Sequence, residues 1–113
     1  MVKNLIRYAQ DNHYSFSQLF QSFIEDMDQM LDKCRHAVSL NNGEELIKIF
    51  LNIRGLAGNF GATQLGIVVK LVEAQIGQNQ ELDKEILLAL ITDKYFRYRD
   101  NILKEYHYLF SDS

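Results

Sequence analysis

Residues 44–65 read EELIKIFLNIRGLAGNFGATQL. Within this stretch Leu46, Ile49, Phe50, Ile53, Ala57 and Phe60 recur at spacings of one, three and four. At roughly 100° per residue they collect on one side of a helix and define a core face. Leu51 stands apart, about 150° from the centre of that face, with Ile47, Gly55 and Gly58 beside it and Arg54 at its edge. A solvated helix face normally carries Glu, Lys or Gln. Each Gly inside a helix costs about 0.5–1 kcal/mol relative to Ala, so two on one outward side call for a reason. Close approach of another molecule is the reading preferred for this patch over drift to an exposed leucine.

The rest of the chain continues the helical pattern. Before this helix, Ser15 followed by Gln18 matches a capping box. After it Leu19, Phe23, Met27, Met30, Leu31, Cys34 and Val38 mark an amphipathic helix over about 16–40. The turn NNG follows, with Asn42 and Glu45 as the next capping pair and a helix start near Glu44. Leu65, Val68, Val69, Val72 and Ile76 predict a helix over 62–76, ended by Gly77 and the loop QNQE. A last helix over about 83–109 has Ile86, Leu87, Leu90, Ile91, Tyr95, Tyr98, Ile102 and Tyr106 as its apolar stripe. Residues 2–10 are expected to add about two helical turns as a cap. The fold expected is all-α: an up-and-down antiparallel four-helix bundle with a short extra N-terminal helix, one domain over 1–113.

Composition agrees and excludes several classes of function. The 113 residues suffice for one modest core, and the 47% hydrophobic and 24% charged shares are those of a globular chain. Proline is absent, so long helices run uninterrupted. A net charge of -3 without a basic tract argues against nucleic-acid binding. No stretch approaches the roughly 20 apolar residues that span a bilayer, nor is there a signal-peptide core, so no membrane insertion and a cytoplasmic location are expected. The single cysteine, Cys34, reads as core filler.

The segment from Phe50 to Leu65 resembles the signature of histidine-containing phosphotransfer (HPt) domains, approximately AHxLKGxAxxxGxxxL. The resemblance implies a short leading helix and a four-helix bundle with the signature on its second bundle helix. By position, the family's lysine or arginine falls at Arg54, its adjoining glycine at Gly55, its small residue at Ala57 and its later glycine at Gly61. The phosphorylated histidine falls at Leu51, which has no nitrogen to form a phosphoramidate. The resemblance further places at Glu73 the polar residue that lies beside the histidine ring. It implies a docking surface bordered by Lys48, Arg54 and Lys70, and as partner a response-regulator receiver domain or a hybrid sensor kinase.

The expectation is a pseudo-HPt module that binds a receiver without taking phosphate at Leu51, with no catalytic residue, cofactor or metal. A monomer is expected ahead of a homodimer. Two alternatives stand beside it: phosphotransfer through another histidine, of which His36 is the first choice, and a structural bundle pairing through Ile47 and Leu51. His13 and His107 read as structural or solvated. Glu25, Asp26, Asp28 and Asp32 read as a solvated helix face, and GLAGNFG, with no preceding strand, is not a phosphate loop.

Overall fold

The computed structural model describes residues 6, 7, 10, 11, 15–78 and 83–109. Four helices carry the fold: α1 (Phe16–Ser39), α2 (Gly43–Asn59), α3 (Thr63–Gly77) and α4 (Lys84–Glu105), followed by a 3-10 turn at His107–Leu109. The described residues include no strand. Of the leading segment expected over 2–10, Ile6, Arg7 and Gln10 are helical and Ile6 packs on the core; its other positions lie outside the described residues.

Local chemistry sets where each helix starts and stops. Ser15 accepts from the Gln18 amide at 3.0 Å while the Gln18 side chain accepts from the Ser15 amide at 3.1 Å, a complete capping box. Asn42 caps α2 by accepting from the Glu45 amide, and Asp83 caps α4 by accepting from the amides of Glu85 and Ile86. The C-terminal ends of α1 and α2 close in the same way. At the end of α1, Asn41 takes a positive φ of 52°, and the amides of Asn41 and Asn42 turn back to the carbonyls of Val38 and Ala37. At the end of α2, Gly61 has φ 69°, and the amides of Gly61 and Ala62 bond the carbonyls of Gly58 and Ala57. This is the Schellman arrangement, in which the residue after the cap must be left-handed.

Turns this short make consecutive helices antiparallel. Packing runs α1 to α2, α2 to α3, α3 to α4 and α4 back to α1, which closes a four-helix ring 47 Å long and about 20 Å across. The core is filled by Phe20, Phe23, Met27, Leu31 and Cys34 from α1, Leu46, Ile49, Phe50, Ile53 and Ala57 from α2, Leu65, Val69 and Val72 from α3, and Leu88, Ile91, Tyr95 and Ile102 from α4. Aromatic rings crowd one end: Phe23 lies 4.5 Å from Phe60, 5.8 Å from Tyr98 and 6.1 Å from Tyr95 between centroids. The two tyrosine hydroxyls find acceptors there, Tyr98 at the Phe60 carbonyl and Tyr95 at Asp28 Oδ1, 3.2 Å away.

Three expectations need correction. The last helix ends at Glu105, where Tyr106 leaves helical hydrogen bonding and a 3-10 turn takes over. Gly77 lies within α3, and Gln78 is its C-cap. Ile86 and Leu90 are exposed, because the buried stripe of α4 passes through Leu88 and Ile91.

Candidate functional site

The outward side of α2 is built as its residue order requires. Leu46, Ile49, Phe50, Ile53 and Ala57 are buried, and Leu51 projects away with 47% of its surface exposed. Ile47 is half-buried one turn earlier, while Lys48, Gly55 and Gly58 are exposed. A Cβ added at Gly55 or Gly58 would meet nothing within 4 Å. Neither glycine is therefore demanded by packing inside the bundle, and the bareness of this side faces outward.

α3 supplies the neighbouring wall. Gly66, Lys70 and Glu73 recur at spacings of four and three on its flank towards α2. Gly66 meets α2 at Ala57, where an added Cβ would sit 3.9 Å from the alanine Cβ. Seven residues on, Glu73 Oε2 accepts from Arg54 Nη1 at 3.2 Å. The Arg54 side chain keeps 39% of its exposure and that of Glu73 only 13%. The other oxygen, Glu73 Oε1, is buried with no hydrogen-bond partner among the described residues. Lys70 is exposed between these two contacts and adds a cation to the rim.

Of the residues expected on this surface, Lys48, Leu51, Gly55, Gly58 and Lys70 are exposed, and Ile47, Arg54 and Glu73 are partly buried. Arg54 is a clip between α2 and α3, its charge partly met by Glu73, so the cations of the rim facing outward are Lys48 and Lys70. The residues from Phe50 to Leu65 divide in two. Ile53, Ala57 and Leu65 are buried and Gly61 makes the turn, so these positions hold the fold. Leu51, Arg54 and Gly55 keep part or all of their surface in solvent.

The centre of the surface is hydrocarbon, and its polar groups lie at the rim. Leu51 offers only carbon, and the carboxylate and guanidinium near it, Glu73 and Arg54, are paired with each other. His36, the alternative phosphate carrier, is exposed beside Asn42, Glu45 and Ile49 at the α1–α2 end. Leu51 lies about 200° around α2 from Ile49, so His36 is on the other side of the helix from Leu51. His107 is exposed with Nδ1 3.2 Å from the Lys104 carbonyl, and His13 lies outside the described residues. Among the described residues no three His, Cys, Asp or Glu converge, and no helix is long and apolar enough to cross a membrane.

Sequence reasoning missed part of the exposed apolar surface. Ile67 and Leu71 on α3 are 55% and 60% exposed, and Ile86 and Leu90 on α4 are 65% and 44% exposed. The signal lay in α3 itself, whose sequence TQLGIVVKLVEAQIG carries charge only at Lys70 and Glu73. A helix with apolar residues on all but one flank cannot bury every apolar side in a four-helix ring. In comparisons with known proteins, no family model, no curated protein and no solved structure matches the chain.

Proposed function

We propose that the chain is a pseudo-phosphotransfer module of a two-component phosphorelay, docking its α2 face on a receiver domain, free or within a hybrid sensor kinase, without accepting phosphate. The reading is carried by Leu51: a half-exposed leucine in the middle of α2, at the histidine position of an HPt-like signature, with Arg54, Gly55 and Glu73 around it. What supports a retained contact is the open space over Gly55 and Gly58. A flat apolar strip rimmed by Lys48 and Lys70 complements a pocket that is acidic at its centre and apolar at its edge. Burial of the exposed half of Leu51 against such a partner contributes about 1 kcal/mol, which offsets part of the charge-mediated interaction that a phosphohistidine would supply.

The test is a titration of the chain against receiver domains of the same cell, phosphorylated and unphosphorylated. At least one receiver binds, and Leu51→Asp and Gly55→Trp each weaken it tenfold or more while far-UV circular dichroism is unchanged. Equal affinity in both variants would sink the proposal. A phosphorylated receiver carrying labelled phosphate leaves no acid-labile label on the chain; label that disappears in His36→Gln would move the function to His36.

A further inference from the structure

α4 presents a second stripe that neither the core nor the α2 face absorbs. Asp83, Ile86, Leu90, Lys94 and Arg97 follow one another at spacings of three, four, four and three, which aligns them along one flank. The flank is the one towards α3, since Lys94 and Arg97 share a concavity with Thr63 and Gln64 at the start of α3. The same antiparallel register carries Leu71 level with Leu90. The stripe thus has an acid at one end, exposed apolar residues in the middle, and two cations at the other end, with Leu71 of α3 widening its centre.

Such a pattern is complementary to itself. Leu90 lies midway between Asp83 and Arg97, seven residues from each, so a twofold axis through Leu90 sets two α4 helices antiparallel. Leu90 then meets Leu90, Ile86 meets the aliphatic stem of Lys94, and Asp83 meets Arg97 of the other copy twice over. The groups are suited to this. Asp83 uses only Oδ1 to cap α4. Arg97 holds Asp93 of its own helix through Nε at 3.0 Å, leaving its terminal N–H groups for a second carboxylate. Lys94 takes part in no ion pair of the described residues.

We propose that this chain pairs with a second copy of itself across the α3–α4 face, about a twofold axis at Leu90. The covering copy accounts for the exposed side of an otherwise apolar α3. The monomer expected from sequence considered the α2 stripe alone. Pairing through α4 leaves Leu51 uncovered, so the dimer presents two α2 faces, and its existence does not depend on receiver docking.

Sedimentation across a concentration series reads the proposal directly. The mass rises from 13.2 kDa towards twice that value. Leu71→Asp and Leu90→Lys each raise the dimer dissociation constant at least tenfold with helicity intact. Asp83→Asn, which keeps the helix cap, weakens pairing several-fold in low salt and much less in high salt. Under mild oxidation Leu90→Cys forms a disulfide dimer and Ile47→Cys does not, the native Cys34 being buried. A mass of 13.2 kDa at every concentration, or cross-linking at position 47 instead of 90, overturns it.

Discussion

Gly55, Gly58 and Gly61 lie within seven residues and do different work. Gly61 sits at φ 69°, where an L side chain presses on its own backbone, so Gly61→Ala is expected to cost roughly 1–2 kcal/mol. Gly55 and Gly58 are ordinary helical positions with open space above them. Alanine at either should stabilise the chain by about 0.5–1 kcal/mol through helix propensity alone. Urea titrations of the three variants separate the cases by sign. A loss of stability in Gly55→Ala would mean that the glycine serves internal packing after all, and would remove one support of the docking reading. Leu51 belongs to the same scale: its exposure follows from a position between Phe50, which is buried, and Asn52, which is not.

Between elements, the Arg54–Glu73 pair is the polar link of α2 to α3, and it is half withdrawn from solvent. Removing the cation strands a carboxylate that already has one buried oxygen unmatched, so Arg54→Met should destabilise by about 1–3 kcal/mol. Adding Glu73→Leu should recover most of that loss, since an apolar pair of similar volume replaces a buried ion pair at little cost. Denaturant midpoints of the single and double variants check both statements. Element by element, the reach of the sequence differed for a physical reason. α2 was legible except at its end, where Phe60 is the C-cap and only partly buried, because its apolar set occupies one side and its other side is bare or charged. α1 was legible because a capping box marks its start and acids line its outer face. α3 and α4 were legible as helices but not in orientation: apart from the flank with Lys70 and Glu73, α3 is largely apolar. On α4, Ile86 and Leu90 form a stripe as continuous as Leu88, Ile91 and Tyr95. Periodicity finds both stripes and ranks neither. Only the ring of neighbours decides which one is inside, and so Ile67, Leu71, Ile86 and Leu90 came to light as surface only in the folded chain.

At the scale of the molecule the two ends of the bundle are unlike. The α1–α2 end is held by backbone turns and by Lys84 Nζ donating to Asn41 Oδ1 at 2.7 Å, whereas the other is an aromatic cluster sealed by tyrosine hydroxyls. Sealing them has a consequence for pH. Burial pushes the Tyr98 hydroxyl up to about 12 and raises that of Tyr95 too, with Asp28 beside it adding to the rise. Burial likewise pushes the Cys34 thiol up to about 12, Arg35 pulling slightly the other way. In each case the proton is held more tightly in the folded chain than in the unfolded one, where cysteine ionises near 8.5 and tyrosine near 10. The unfolded state therefore sheds protons first as pH rises, and stability falls with pH wherever the folded state binds more protons. The contribution of these groups is complete below about pH 8, begins to fail as unfolded Cys34 ionises, and is lost as pH climbs through 10 towards 12. Chemical denaturation at a series of pH values should show a decline that steepens near pH 10. Tyr98→Phe makes the slope shallower above pH 10, although it lowers stability at neutral pH by leaving the Phe60 carbonyl without its donor. A Tyr98→Phe chain with an unchanged alkaline slope would show that this hydroxyl is already ionised or open to water in the folded state, and that the aromatic end is looser than its packing implies.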